Sequence, residues 1–563
     1  MFDSPFSKSV GYFNHYSPVV SERLMSGKTK LFGHQKEALV KIWEQAANGE
    51  LEPRRRSPNS GASLLVMGVG TGKTAVLTSL PFVLAPYMQG RQTMIVVDNC
   101  TLRGRILQDF PTDSRHCPVY EQWPLYNLGI LPPGVPPPQI AELRAEDWKS
   151  YGFNLDSADL LVVNRQFLLQ LVSRGDIDPG NVGLLLIDEA HHSPASSYRT
   201  VFEYFSTSML VFLTGSRFRS DSKPIPYIRY NTFESESETG SKLMRYSPMA
   251  DFEFSIQDAW KLDPPPIKKL MYKEATSRAL LVLENGVEVE YSREGFFAKA
   301  ESDREWLRQI LLADAFCMPV LQQAVSILKS KRATGQPHKM IVRALNINHA
   351  HRLFKLLESF DLLAGKVGLV HSDKDGFDLA GRPTEVYKKF FSGEYICLVH
   401  CSMVGEGFSH EWASVCVPLC VIRSLTVAEQ EFGRIIRRVQ GRPPGKFPDY
   451  NHENWGVVVT HEMLEIGPLF QKFIEGMPTA PLSGYGETPS LSVEPILEKP
   501  RLTSEYEAGE TTLTLTNTQT LKPGDLILLS ATIQPVAQPI PKFDLVEELR
   551  STGSLSIDNI EWH

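Results

Sequence analysis

The run MGVGTGKT at positions 67–74 combines glycines, a lysine and a threonine in an order suited to binding phosphate. The apolar stretch 62–66 before it predicts a buried strand, and residues 75–80 predict the start of a helix. Glycines at such a junction let several backbone N–H groups point at one phosphate chain, and the helix N-terminus adds partial positive charge. We therefore expect Lys73 to contact the outer phosphates of a nucleotide and the hydroxyl of Thr74 to bind Mg²⁺.

This run departs from the strict phosphate-loop pattern at one position. The pattern has a glycine five residues before Gly72, where this chain has Met67. A glycine-rich turn with a chance lysine is the alternative interpretation. The glycines, the lysine and the hydroxyl nevertheless follow the required order at a strand-to-helix junction, which favours a phosphate loop.

Two adjacent carboxylates, Asp188 and Glu189, follow the aliphatic stretch 182–187, which predicts another buried strand. In parallel sheets, ligands bind at the edge where the carboxyl ends of the strands lie. At that edge Asp188 could hold the Mg²⁺ that Thr74 also contacts, and Glu189 could orient an attacking water as a general base. The same pair on a surface loop would be unremarkable.

The elements that position these residues are apolar strands that alternate with helical stretches. The predicted strands of a first sheet are 62–66, 93–98, 158–163, 182–187 and 210–213, and those of a second sheet are 339–344, 367–370, 394–400, 415–422 and 456–460. This alternation predicts an α/β fold in which parallel sheets are covered on both faces.

The length of 563 residues suggests three or four structural units. We predict a first lobe at 1–225, a connecting insertion at 226–334, a second lobe at 335–480, and a linker with a small C-terminal β-containing element at 481–563. The insertion holds a predicted hairpin over 279–291 that turns at Asn285-Gly286. The C-terminal element depends on the alternating stretch 511–516, which could pair with 525–529 across a turn.

Composition constrains the class of protein. The net charge is −7 and the sequence pI is near 6.1, so no global basic field indicates a nucleic-acid binder, although a local basic groove stays compatible with this total. The chain shows neither a secretory leader nor an apolar run of about 18 residues. We therefore expect a soluble protein of the cytoplasm.

The cysteines do not indicate a disulfide framework or a zinc site. The chain has seven, and the pairs Cys397/Cys401 and Cys416/Cys420 lie within apolar stretches that predict strands. Cysteine in such a stretch behaves as a small buried hydrophobe. The triplet His371-Ser372-Asp373 could suggest a nucleophilic triad, but no nucleophile-elbow motif surrounds Ser372.

The run Asp188-Glu189-Ala190-His191 resembles the box of the DEAH helicases of superfamily 2. Other stretches follow in that family's order: the Gln35 segment, the phosphate loop, 213–216, 404–408 and 430–437. The nearest similarity is to helicase subunits of restriction and phage-defence systems, on the runs 214–221 and 254–266. The resemblance implies two tandem RecA-like lobes that hydrolyse ATP with Mg²⁺ between them and act on nucleic acid.

The resemblance also implies residue roles. The implied adenine contact is Gln35, whose amide is both donor and acceptor. The implied nucleotide contacts are Gly68, Gly70, Thr71, Gly72, Lys73, Thr74 and Gly407; the implied metal ligands are Thr74 and Asp188; the implied arginine fingers are Arg434 and Arg437; and the implied coupling residues toward nucleic acid are His191, Thr214, Ser216 and Gln430. Arginines on a second lobe would complete charge stabilisation only when the lobes close.

Two positions depart from the family's pattern. Ser409 stands where an Asp often contacts the ribose, and Asn164 stands where a Thr or Ser often helps to hold the nucleic-acid backbone. These departures leave the hydrolytic residues in place and affect only the expected ribose and strand contacts.

Two functions follow as hypotheses. The first is an ATP-dependent helicase or translocase, with DNA favoured over RNA. The second is a nucleotide-gated switch or loader that recruits a protein partner such as a nuclease, because no nuclease motif is evident in the chain itself. The sequence does not distinguish unwinding from translocation alone.

Overall fold

The computed structural model describes residues 11–481 except 54–55, 58–59, 98–123, 149–154, 193–195, 219–223, 237–241, 276–279, 285–286, 372–382, 402–409, 423, 444–450 and 477–479. The predicted C-terminal element at 481–563 therefore lies almost entirely outside the described residues. Only its first residue belongs to a described strand, Ala480–Pro481.

The first half of the chain contains a seven-stranded parallel sheet. Its strands, in spatial order, are β3 (Ile140–Leu143), β4 (Leu160–Asn164), β2 (Gln92–Val97), β5 (Val182–Ile187), β6 (Met209–Thr214), β1 (Ser63–Met67) and β9 (Phe252–Phe254). The five predicted strands are present, and each is apolar because both faces of the sheet are covered.

Helices cover this sheet. They are α1 (Tyr12–Met25), α2 (Gly33–Ala47), α3 (Lys73–Leu84), α4 (Pro124–Asn127), α5 (Ala145–Trp148), α6 (Arg165–Arg174) and α7 (Ser196–Tyr204). The side chain of Asn164 accepts a hydrogen bond from the backbone N–H of Phe167 at 3.0 Å. Asn164, one of the two departures from the family's pattern, is therefore the N-cap of α6.

A six-stranded parallel sheet forms the second half. Its strands, in spatial order, are β10 (Lys269–Ala275), β17 (Trp455–His461), β16 (Ala413–Pro418), β13 (Lys339–Arg343), β15 (Cys397–His400) and β14 (Val367–Val370). Its helices are α11 (Asp314–Arg332), α12 (Ile347–Glu358), α13 (Pro383–Ser392), α14 (Leu425–Gly433) and α15 (Ile466–Glu475). The predicted α/β fold with two parallel sheets is confirmed.

The stretch between the two sheets, predicted as a connecting insertion, contributes strands to both of them. β9 adds to the first sheet beside β1, and β10 adds to the second beside β17. The same stretch contains α8 (Ile256–Lys261), α9 (Arg293–Ser302), α10 (Arg304–Leu311) and two antiparallel pairs, β7 (Tyr230–Glu236) with β8 (Lys242–Pro248) and β11 (Leu280–Glu284) with β12 (Val287–Tyr291). The last pair is the predicted hairpin.

The chain returns to this central stretch after the second lobe. The strand β18 (Ala480–Pro481) pairs antiparallel with β8, so the end of the described chain is hydrogen-bonded to the β7–β8 hairpin, which lies in sequence between β6 and β9 of the first sheet. This pairing connects the two halves of the molecule at a place distant in sequence.

Among the residues that the structure describes, no single helix is long and apolar enough to span a membrane. The consecutive helices Glu305–Leu311 and Asp314–Arg332 meet the criteria only when taken together across a bend of 43°.

Asp251, which precedes β9, attaches this edge strand to the start of β1. Its carboxylate accepts hydrogen bonds from the backbone N–H of Leu64 at 2.8 Å, the hydroxyl of Ser63 at 2.9 Å and the side-chain amide of Gln45. The backbone N–H of Asp251 donates in return to the carbonyl of Leu64 at 2.9 Å. One carboxylate thus joins α2, β1 and β9.

We predict that Asp251→Ala lowers the free energy of unfolding of the first lobe by about 1–3 kcal/mol, because inward-facing donors lose their acceptor. Denaturant unfolding followed by tryptophan fluorescence or circular dichroism measures this change. The control is Asp176→Ala, an exposed aspartate on the same lobe, which should be close to neutral. Equal stability of the two variants would contradict the prediction.

Candidate nucleotide-binding site

The loop between β1 and α3 has the backbone geometry of a phosphate cradle. Gly70 and Gly72 have φ angles of 82° and 93°, in the left-handed region that favours glycine. A Cβ atom on Gly72 would also lie 2.1 Å from the side-chain nitrogen of Gln35. The hydroxyl of Thr71 donates to the carbonyl of Gly68 at 2.7 Å, which closes the loop on itself.

The N-terminus of α2 supports this loop from one side. His34 Nε2 lies 2.9 Å from the carbonyl oxygen of Thr71, and the Gln35 amide nitrogen lies 3.3 Å from the carbonyl oxygens of Thr71 and Gly72. The amide oxygen of Gln35 accepts the backbone N–H of Phe32 at 2.9 Å. In this arrangement the Gln35 amide contacts the loop itself, and its predicted contact with adenine stays a prediction.

Lys73 and Glu189 form an ion pair at the start of α3. Lys73 Nζ lies 2.9 Å from Glu189 Oε1, and both side chains are largely buried, with 14% and 17% of their surface exposed. Glu189 has a φ of 50°, a left-handed conformation that is strained for a side chain other than glycine. Its backbone N–H donates to Asp188 Oδ1 at 3.0 Å. The structure thus brings the phosphate-loop lysine and the predicted general base into contact.

Oxygen donors for a metal are available where the sequence predicts them. Thr74 lies in the first turn of α3, and Asp188 directly follows β5. A hydroxyl and a carboxylate are ligands that Mg²⁺ accepts together with phosphate oxygens and water. The donor chemistry of these two residues therefore fits the predicted cation.

A run of hydrogen bonds leads from Glu189 away from the loop. His191 Nδ1 lies 3.5 Å from Glu189 Oε2 and 3.1 Å from Thr214 Oγ1. Thr214 donates its hydroxyl to the carbonyl of Ser216 at 2.8 Å and accepts the backbone N–H of Ser216 at 3.1 Å. Because the only hydroxyl hydrogen of Thr214 is used on Ser216, Nδ1 of His191 must carry the hydrogen between them. Three predicted coupling residues thus lie in one connected path.

The second lobe approaches the phosphate loop directly. A Cβ atom on Gly433, at the end of α14, would lie 2.5 Å from a methyl group of Val69. A Cβ on Gly70 would lie 2.8 Å from a methyl group of Ile436. The backbone of Arg437 also forms a β-bridge with Ile267. The segment predicted to carry the arginine fingers is therefore packed against the loop.

Arg434 contacts a buried carboxylate. Its Nε and Nη2 atoms lie 3.1 and 2.9 Å from Glu431, and Arg343 Nη1 lies 2.7 Å from the same carboxylate. His400 Nε2 is 3.3 Å away. Burial would raise the pKa of Glu431, but Arg434, His400 and Arg343 outweigh it and hold the pKa well below its usual range. Glu431 therefore stays ionised and holds Arg434 in place.

The remaining predicted residues lie around this cluster or outside the described part. Arg437 is exposed, four residues after the end of α14, and Gln430 lies on α14 one residue before Glu431. Gly407 and Ser409 lie outside the described residues, as do Ser372 and Asp373. His371, directly after β14, is described and buried. The cysteines of the two pairs considered for a zinc site, Cys397/Cys401 and Cys416/Cys420, are buried free thiols.

Sequence reasoning missed two contributors. His34, 6% exposed, stacks on Phe254 with ring centroids 3.9 Å apart, while burial lowers its pKa despite the nearby Thr71 carbonyl and Glu37. Glu431 lies within the run 430–437, but the sequence pattern predicted no role for it. An acidic residue three positions before Arg434 on a helix was the available signal for it.

One stretch of the chain, about a third of its length, matches the model of a known family. Residues 28–219 match the family described as "Type III restriction enzyme, res subunit". A curated relative, the putative ATP-dependent helicase IRC3 of Saccharomyces cerevisiae, is 36% identical over 58 residues, which are 10% of this chain and 8% of that protein. The match thus spans a small part of the curated relative's length.

Solved structures resemble the chain over most of its length at low identity. A fragment of a putative HsdR subunit of a type I restriction enzyme from Vibrio vulnificus is 15% identical, with a TM-score of 0.47 over 79% of this chain and 66% of that one. Dbp5 of S. cerevisiae bound to RNA and ADP BeF3 is 13% identical, with a TM-score of 0.40 over 79% and 92%. The type ISP restriction-modification enzyme LlaBIII bound to DNA is 12% identical, with a TM-score of 0.45 over 76% and 27%.

We predict that Glu431→Gln lowers the free energy of unfolding of the second lobe by about 3 kcal/mol or more, because buried guanidinium groups lose their counter-charge. The pKa of Glu431 is lower in the folded protein than in the unfolded chain. The stability that its charge contributes is therefore fully present above the usual pKa of glutamate and is lost as the pH falls below that value toward the lowered pKa. Urea unfolding at pH 7 and pH 4 measures both effects. The control Glu394→Gln removes an exposed partner of Lys389 and should change stability little. A Glu431→Gln variant as stable as this control would contradict the prediction.

Proposed function

We propose that the chain is a nucleic-acid-dependent ATPase that moves along or unwinds its polymer, because residues 28–219 match a family described as a restriction-enzyme subunit and the chain carries motifs that resemble those of superfamily 2 helicases. ATP hydrolysis would take place between the two lobes. The observation that supports this proposal most directly is the ion pair of Lys73 with Glu189 beside a loop that the second lobe contacts through Gly433.

Lys73 and Glu189 would exchange partners when ATP binds. A terminal phosphate carries more negative charge than one carboxylate and would attract the Lys73 ammonium group away from Glu189. The released carboxylate would then accept a hydrogen bond from water and remove its proton during attack on the terminal phosphorus. The free-state ion pair is consistent with a site prepared for this exchange, because each group already faces the other.

The proposed Mg²⁺ would be held by the hydroxyl of Thr74 and the carboxylate of Asp188. The chemistry that it supplies is neutralisation of charge on the phosphate oxygens. Asp188 also accepts the backbone N–H of Glu189, so one carboxylate would bind the cation and fix the neighbouring residue. The glycine backbone of the loop would supply the remaining phosphate contacts.

Arg434 and Arg437 are proposed to stabilise the charge that develops on the terminal phosphate. Arg434 is held by Glu431, so its use as a finger would require the guanidinium to keep one face on that carboxylate or to leave it. Arg437 is exposed and follows the segment that touches Gly70 through Ile436. Glu431 therefore constrains the guanidinium group of Arg434 and not that of Arg437.

DNA is the polymer that we propose in preference to RNA, because the matching family is described as a restriction-enzyme subunit. Contacts would be mostly to the phosphate backbone, which makes binding sensitive to salt. A nucleotide-gated switch or loader for a partner such as a nuclease is the alternative. It predicts nucleotide-dependent binding of a partner without movement along the polymer.

The test is ATP hydrolysis by the full chain with single-stranded and double-stranded DNA and RNA, at two salt concentrations. We expect stimulation by DNA, and a loss of kcat on the order of 100-fold in both Lys73→Ala and Glu189→Gln. Lys41→Ala, an exposed lysine on α2, is the matched control and should retain full activity.

Two outcomes would contradict the proposal. One is a hydrolysis rate that no nucleic acid changes, and the other is a Lys73→Ala variant as active as Lys41→Ala. Hydrolysis that responds to nucleic acid without displacement of a blocking protein or a complementary strand would instead favour the switch or loader.

A further inference from the structure

Glu429, on α14 of the second lobe, contacts the hydrogen-bonded path that begins at the phosphate loop. Its carboxyl group lies within reach of a hydrogen bond to the side chain of Ser216, and the charges of Lys73 and Glu189 act on its pKa. Glu429 also lines a cavity between the lobes together with Gly68 and Gly215. The path from Glu189 through the first-lobe motif therefore ends on a second-lobe side chain to which neither the motif pattern nor the resemblance gave a role.

The hydroxyl of Ser216 determines how the two side chains can bond. Its single hydrogen is donated to the carbonyl of Phe218, with the two oxygens 2.9 Å apart. The hydroxyl oxygen can therefore take part in a second bond only as an acceptor. A carboxylic acid can supply the missing hydrogen, whereas a carboxylate cannot. The geometry thus favours Glu429 as the donor and Ser216 as the acceptor.

The surroundings of Glu429 also favour the protonated carboxyl group. Burial raises the pKa of Glu429 to about 8; the charge of Glu189 acts in the same direction, and that of Lys73 opposes it. Arg217 and Glu253 also line the cavity and form an ion pair with each other. At neutral pH the carboxyl group is therefore mostly protonated, and it loses its proton as the pH rises through about 8.

A second contact joins α14 to the same first-lobe segment, in addition to the contact of Glu429 with Ser216. The hydroxyl of Thr426, one helical turn before Glu429, lies 3.4 Å from the carbonyl oxygen of Phe218. That carbonyl also accepts from Ser216. One face of α14 therefore contacts the segment 216–218 at two points, and a shift of Ser216 would be felt by the helix that carries Gln430 and ends next to Arg434.

We propose that Glu429 is a positioning residue that transmits the state of the phosphate site to the second lobe through its hydrogen bond to Ser216. This inference rests on the proposed ATPase function and deepens it. Release of Glu189 from Lys73 would alter the contacts of His191 and Thr214, and through them the position of Ser216. Glu429 would convert that shift into a movement of α14, so its substitution affects coupling to nucleic acid more than binding of ATP.

The test compares stimulation of ATP hydrolysis by single-stranded DNA in the wild-type chain, Glu429→Gln and Glu429→Leu between pH 6.5 and 9.5. An amide can donate to Ser216 as the acid does but does not titrate. We expect wild-type stimulation to fall as the pH rises through about 8, and stimulation of Glu429→Gln to persist. Glu429→Leu should lose about five- to tenfold of the stimulated kcat at all pH values, with little change in KM for ATP. Glu475→Gln, an exposed glutamate on α15, is the control and should follow the wild-type profile.

The outcomes separate this inference from the function beneath it. If the wild type is stimulated but Glu429→Gln declines with pH as the wild type does, or Glu429→Leu keeps full stimulation, the role of Glu429 is wrong and the ATPase proposal stands. If the wild type itself shows no stimulation by any nucleic acid, the ATPase proposal fails and this inference fails with it. A rise in KM without a change in kcat would show that Glu429 acts on ATP binding instead, which also overturns the inference.

Discussion

The close approach of Val69 to Gly433 is the constraint on which the site depends. Val69 lies between two glycines, Gly215 in the first lobe and Gly433 in the second, and a Cβ atom at either position would lie within 3.3 Å of one of its methyl groups. Interior packing has no room for the extra atom unless the loop or the helix moves. The phosphate loop is therefore a surface of the interface between the lobes as well as a binding loop.

Electrostatics follow from this packing. The lobes bring two carboxylates, Glu189 and Glu429, near one ammonium group, that of Lys73. Burial is the main reason that the pKa of Glu429 is raised, and the charge of Glu189 adds to this effect. In the second lobe the ratio is reversed, because one carboxylate, that of Glu431, contacts the guanidinium groups of Arg343 and Arg434. Binding of a polyphosphate between the lobes would change the charge balance around Lys73.

The sequence predicted the strands that precede the site because each is a run of aliphatic residues bounded by polar ones. The phosphate loop and the carboxylate pair were visible for the same reason: their residues are adjacent in the chain. The strand β9 was not predicted, since three residues are too few for a periodic pattern. β10 was missed because it alternates polar and apolar residues where buried parallel strands are continuous runs.

Contacts between residues distant in the chain could not be predicted from the sequence. Arg343, His400 and Glu431 belong to different elements, and no spacing relates them. The same holds for Ser216 and Glu429, which come together only because α14 contacts the segment that follows β6. Such pairs depend on how two lobes are placed, and local propensity carries no information on that placement.

In the proposed function, one nucleotide is held by both lobes at once. An experimental structure of the full chain with Mg²⁺, ADP and beryllium fluoride tests it most directly. We expect Lys73 Nζ to have left Glu189 for the fluoride group, and a guanidinium group of Arg434 or Arg437 to lie within hydrogen-bonding distance of the same group. A nucleotide bound to the first lobe with Lys73 still paired to Glu189, or bound away from the loop altogether, would contradict the account.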